Sequence, residues 1–182
     1  MQVLFLHGLE GSPQGKKAQW LLANYDTRVP SLDTTQAQNF LSSPRDQDFS
    51  LDKPAHIFEA PVKAALSALT AQTSIIIGSS FGGAVLGQLV EKGHWEGPCI
   101  FLASAHVKFD TLSSFVGRSI CIHGTADTIV PSSPVAAFVA QCGPPHEFWG
   151  IEDNHSLSSI RESGVLANAI TQLTTSTEGN AR

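Results

Sequence analysis

The stretch Ile75-Ile76-Ile77-Gly78-Ser79-Ser80-Phe81-Gly82-Gly83 restricts the possible folds more than any other part of the chain. Its β-branched run predicts a buried strand, and residues 84–92 continue as a helix-compatible segment. Between them stands G-x-S-x-G, the pattern of a sharp strand-to-helix turn that presents a serine at its apex. Ser80 is that apex, and Gly78 and Gly82 leave room for the neighbouring backbones because neither has a Cβ. Such a turn strains the serine and lifts its Oγ clear of the sheet. It also sets that oxygen beside the unpaired N–H groups of the following helix. The same five residues occur by chance in other glycine-rich turns, so their partners elsewhere decide what they mean.

Short apolar runs alternate with helical patterns along the rest of the chain. Strands are expected at residues 3–6, 27–29, 74–77, 99–103, 119–122 and 147–149. Helices are expected at about residues 14–24, 54–71, 81–92, 134–141 and 158–173. Ile57, Ala60, Ala64, Ala65 and Ala68 recur at a helical period in the second of these. Strands that alternate with helices predict an α/β fold: a mostly parallel sheet of about six strands, covered by helices on both faces. Ligands of such sheets bind at the carboxyl ends of the strands. Residues 31–53 carry no clear period and read as a long loop, and the polar tail at residues 174–182 is expected to fray.

Composition excludes several classes of function. At 182 residues the chain suits one domain with a proper core. A net charge of −5, with no basic cluster larger than Lys16-Lys17, argues against nucleic acid as a partner. No apolar run approaches the length of a membrane span. Residues 3–6 enter a strand at once, without the charged and apolar regions of a secretion signal. Three cysteines cannot all pair within the chain, which points to a reducing, cytoplasmic location.

A serine hydroxyl needs a positioned base, usually a histidine oriented by a carboxylate. His155, in a loop between the last strand and the last helix, lies at the sheet edge expected for Ser80. Asp127 follows the strand at residues 119–122 and projects from the same edge; its bland alternative is a turn residue. Asp153 is a rival acid, but two residues from His155 is too close in sequence for a good side-chain contact. The order Ser80, Asp127, His155 is the one this fold gives its triad. An oxyanion requires fixed donors, for which the backbone N–H groups of Phe81 and Leu9 are the candidates, with Gly8 allowing the first loop to approach the turn. His7 reads as structural, and His106 as either a pocket residue or a surface one.

With these residues in place the chain resembles the α/β-hydrolases, and specifically the small esterases of the YqiA type. The markers are His7-Gly8 with Ser12-Pro13 and Lys17-Ala18, then Gly78 to Gly83, Asp127, and Asn154-His155. The resemblance implies a single-domain α/β-hydrolase fold and acyl hydrolysis by Ser80, His155 and Asp127, with no metal or organic cofactor. Only residues 106–117 are available where many relatives insert a helical cap, so no cap domain is expected. An open site favours small-molecule esters or thioesters with small or protruding acyl groups, with residues 31–53 as a partial cover at the rim. Two further readings use the same residues: a non-catalytic ligand-binding module, and an acyltransferase or peptidase. The sequence carries no sign of oligomeric state.

Overall fold

A computed structural model of the chain describes residues 1–42 and 55–175. The strands are β1 (Gln2–Leu6), β2 (Asp26–Arg28), β3 (Thr73–Ser79), β4 (Cys99–Leu102), β5 (Ser119–Gly124) and β6 (His146–Ile151). The helices are α1 (Lys16–Asn24), α2 (Thr35–Ser42), α3 (His56–Ala68), α4 (Phe81–Glu91), α5 (His106–Phe109), α6 (Ser132–Cys142) and α7 (Val165–Thr175). The strands form one sheet in the order β2-β1-β3-β4-β5-β6, parallel at every pairing.

The apolar runs become strands because both faces of the sheet are covered, which favours near-continuous β-branched sequence. Alternate side chains enter separate cores. Val3, Phe5, Ile75, Ile77, Ile100 and Ile122 pack with Leu21, Leu166 and Ile170 of α1 and α7. Leu4, Leu6, Ile76 and Phe101 pack on the other face with residues of α2, α3, α4 and α6. Each fully buried Ile or Leu contributes roughly 1.5–3 kcal/mol relative to exposure. A one-residue slip of β3 would exchange its two faces, so pairing of Ile75 with Val3 and Ile76 with Leu4 is well specified.

Strand order decides where the site lies. From β1 the chain steps outward to β2, then returns to β3 on the opposite side of β1. The carboxyl ends of β1 and β3 therefore diverge into connections on different sides, the crevice where open α/β sheets bind ligands.

Three expectations change. The segment read as a long loop contains α2, whose sequence TQAQNFLS turns only Ala37, Phe40 and Leu41 towards the core and is polar elsewhere, too short a pattern to set it apart from a loop. Residues 43–53, the rest of the expected rim cover, lie outside the described residues. The helix expected at 158–173 is broken: a 3-10 turn at Ser159–Arg161 gives way to α7 through Gly164, whose φ of 76° ends the first piece. The expected fraying tail falls partly in α7, and residues 176–182 lie outside the described residues. Between β4 and β5 only the single turn α5 is present, too little for a cap. No helix among the described residues is long and apolar enough to cross a membrane.

Candidate active site

β3 runs directly into the turn. Ser80 has φ 53° and ψ −116°, a region that costs a non-glycine residue on the order of 1–3 kcal/mol and persists only when the surroundings enforce it. The surroundings do so from both sides. A Cβ at Gly78 would come within 2.6 Å of the Gly82 carbonyl oxygen, and one at Gly82 would overlap the carbonyls of Leu6 and His7. The Phe81 ring is fully buried and stacks on Phe58 at 5.1 Å, with Phe109 edge-on at 5.8 Å, which fixes the start of α4.

Ser80 Oγ lies 2.9 Å from His155 Nε2, and His155 Nδ1 lies 2.7 Å from Asp127 Oδ2. An ionised carboxylate accepts only, so Nδ1 carries the proton and Nε2 is left to accept from the serine hydroxyl. Burial pushes the Asp127 carboxyl up. The Val130 N–H, the His155 ring and the Ile129 N–H outweigh it by hydrogen bonding, with the charge on His155 adding to them, and hold it below the usual carboxylate value.

The folded value lies below the unfolded one, so Asp127 stabilises the fold fully above the ordinary carboxylate value, near 3.9. That contribution is lost as pH falls through the lowered folded value. The urea midpoint of the wild-type protein should therefore exceed that of Asp127→Asn at about pH 6, and the gap should narrow towards about pH 3. A gap that stays constant or widens on acidification would contradict the assignment.

Asp153, the rival acid, is occupied otherwise. Its Oδ1 accepts from the Asn154 N–H, and its Oδ2 accepts from the N–H and hydroxyl of Ser159. It organises the loop that carries His155. Buried Leu157 pins the same loop into the core, and Gly124 lets the end of β5 approach the Asp153 and Asn154 carbonyls.

The β1–α1 loop passes over the turn, so close that a Cβ on Gly8 would lie 3.2 Å from Ser80 Cβ. Its backbone is held at several points. The Gly8 carbonyl accepts from the Gly11 N–H at 3.0 Å and from His7 Nδ1 at 2.9 Å, while His7 Nε2 accepts from the Leu32 N–H. These bonds set the plane of the Gly8–Leu9 peptide and hence the direction of the Leu9 N–H. The Leu9 carbonyl accepts from Thr34 Oγ1 and Gln38 Nε2, so residues at and beside α2 brace this loop. Phe81 begins α4, and its N–H has no carbonyl within the helix to reach.

Two histidines sit differently from the sequence reading. His106 is neither at the surface nor at the site: it is wholly buried among Phe101, Phe115 and Phe138 with Nδ1 against Ser104 Oγ, and burial, with His123 nearby, pushes its pKa down to about 3. His123, to which the sequence reading assigned no role, donates from Nε2 to the Val130 carbonyl at 2.8 Å, with Asp127 Oδ2 at 3.1 Å. It approaches the same carboxylate oxygen that His155 contacts. Its position immediately before Gly124, at the end of a strand, was the available signal. Among the described residues no group of three or more His, Cys, Asp or Glu side chains is arranged to hold a metal ion.

The same fold recurs in solved structures of low sequence similarity. An α/β serine hydrolase homologue from Coxiella burnetii matches with a TM-score of 0.66 at 18% identity, over 94% of this chain and 84% of that one. The esterase domain of a Rhodothermus marinus protein matches with a TM-score of 0.62 at 18% identity, over 94% and 85% of the two chains. An α/β serine hydrolase without a lid from Xanthomonas campestris matches with a TM-score of 0.65 at 17% identity, over 96% and 82%. No protein-family description matches the sequence, and no curated protein does. The described residues have the α/β-hydrolase fold, with no cap between β4 and β5.

Proposed function

We propose that this lidless α/β-hydrolase fold carries a serine hydrolase that cleaves carboxylic esters or thioesters through an acyl-enzyme on Ser80. The observation that carries the reading is the contact chain Ser80 Oγ–His155 Nε2 at 2.9 Å and His155 Nδ1–Asp127 Oδ2 at 2.7 Å. In the acylation step the serine oxygen attacks the substrate carbonyl carbon while His155 takes its proton. The carbonyl oxygen gains negative charge and accepts from the N–H groups of Leu9 and Phe81. The imidazolium then gives its proton to the departing alkoxide or thiolate, which leaves the acyl group on Ser80. Water repeats the sequence, with His155 again first base and then acid, and releases the carboxylic acid. Asp127 holds the ring in the required tautomer and stabilises the imidazolium.

The open edge of the sheet favours small soluble substrates or an acyl group that protrudes from a larger carrier, because nothing between β4 and β5 encloses a long chain. A reducing, cytoplasmic setting suits the thiols. Burial pushes Cys99 up to about 12 and Cys121 well above its ordinary value, so neither is a reactive nucleophile that competes with Ser80.

A fluorophosphonate probe tests the reading. It should label the native protein on Ser80, with the label mapped by peptide mass spectrometry, and should block hydrolysis of p-nitrophenyl acetate in proportion. A protein that keeps the pocket only to bind a ligand would leave the probe unreacted, and that result would overturn the proposal.

A further inference from the structure

Lys17, in the Ser12-Pro13…Lys17-Ala18 motif, takes no part in the chemistry above, yet its ammonium bonds to Ser156, the residue after His155. A cavity of about 340 Å3 lies between the β1–α1 loop and the segment after His155, with walls that include Gly8, Ser12, Lys16, Lys17, Ser156 and Arg161. Its volume is that of a small-molecule site. Neither Ser80 nor His155 is on its wall, but their neighbours are. Ser79 and Ser156, on its wall, are the chain neighbours of Ser80 and His155, and a Cβ on Gly8 would lie 3.8 Å from Ser80 Oγ.

The charge of that wall is unlike the rest of the protein. In a chain of net charge −5 with 11 basic residues, three of them line this one cavity, and no carboxylate does. Lys17 Nζ donates to the Ser156 carbonyl, which uses one of its three N–H bonds. Arg161 reaches the Ser158 carbonyl only through a long contact of 3.4 Å. Burial, reinforced by Arg161 and opposed by Asp153, lowers Lys17 to about 8. Asp153 is near enough to act on Lys17, but its oxygens accept from Asn154 and Ser159 and it is not on the cavity wall. The first turn of α1 starts at the same wall without a side-chain cap, and its free N–H groups add to the positive field. Like charges gathered round a partly dry cavity destabilise one another until an anion enters.

We propose that this cavity is an oxyanion subsite, in which Arg161 and Lys17 hold a carboxylate or phosphate carried by the substrate, so that the enzyme selects esters or thioesters that are themselves acidic. The guanidinium supplies a planar fork for two oxygens, and the ammonium supplies a point charge nearer to Ser156. The proposal rests on the reading of Ser80 as nucleophile and deepens it by naming the substrate class.

Matched substrate pairs test it. Mono-p-nitrophenyl succinate is set against its methyl ester for the carboxylate, and S-acetyl-4′-phosphopantetheine against S-acetylpantetheine for the phosphate. The acidic member of at least one pair should have the higher kcat/KM, and the pair that responds identifies the group. Arg161→Gln and Lys17→Gln should each lower the acidic-to-neutral ratio about tenfold, the scale of one lost charge-assisted contact. Equal losses on both members of each pair, in both variants, would overturn the proposal and leave these residues as props of the His155 loop. A second measurement does not depend on turnover. In Ser80→Ala, succinate or inorganic phosphate should raise the melting temperature, and Arg161→Gln added to it should abolish the rise. Absence of that rise overturns the subsite whatever the kinetics. A rise in a wild-type protein that hydrolyses none of the esters supports the subsite and removes the hydrolase reading instead.

Discussion

Ser80→Ala should lower kcat/KM for a small ester by about ten-thousandfold or more, the scale seen when a triad nucleophile is removed. The hydroxyl supplies the bond-forming oxygen, and among the described residues no other serine bonds to His155. Ser79 precedes it on β3 and is 8% exposed, whereas Ser80 alone contacts His155. The fold should survive, because Oγ makes no contact in the core and the strained backbone is enforced by Gly78, Gly82 and the buried Phe81 ring. Far-ultraviolet circular dichroism and a thermal melt check that half of the prediction. Retention of more than a tenth of wild-type activity, with the fold intact, would remove Ser80 from the mechanism. Ser80→Gly provides a second control: it should lose activity equally, yet melt no lower than Ser80→Ala, since glycine tolerates a φ of 53° that alanine does not.

The parts of this architecture that are legible in sequence are those with strong local signals. Ile75-Ile76-Ile77 reads as a buried strand because both faces of a parallel sheet demand apolar residues, and β1, β4 and β5 follow from the same logic, whereas the edge strands β2 and β6 are only partly buried. The serine turn is legible because its glycines are required by close backbone approach at fixed spacing. α2 was not legible. Thr35–Ser42 offers only one short apolar stripe, Ala37 with Phe40 and Leu41, and its position is completed by the pairing of Thr34 and Gln38 with the Leu9 carbonyl 25 and 29 residues away. The break before α7 was likewise hidden, since Ser163 and Gly164 interrupt a segment whose apolar residues continue on both sides. His123 and the pairing of Lys17 with Ser156 belong to the same class. The latter joins residues 139 apart, and no local pattern announces which of several lysines will reach a given carbonyl.

The choice between two acids gives the second large effect. Asp127→Asn should lower kcat/KM by about a thousandfold to ten-thousandfold, while Asp153→Asn should cost far less. The volume of the side chain is unchanged by the first substitution, so packing is not at issue. The asparagine amide can present an NH2 group to His155 Nδ1, which would place the imidazole proton on Nε2, facing Ser80. That tautomer cannot accept the serine proton. His123 sharpens the distinction, because its Nε2 must donate to the Val130 carbonyl and therefore favours an acceptor at the nearby Oδ2 position. An asparagine that turns its oxygen to His123 and His155 leaves its NH2 facing the N–H groups of Ile129 and Val130, which now bond to Oδ1. Either orientation sets donor against donor, so partial rescue by rotation is blocked. Asp153, by contrast, accepts only from Asn154 and Ser159 within its own loop, and its loss loosens the His155 loop without inverting the ring. Steady-state kinetics on the two variants decide the matter. If Asp153→Asn is the more damaging of the pair, the acid has been misassigned and the contact at 2.7 Å is only a structural one.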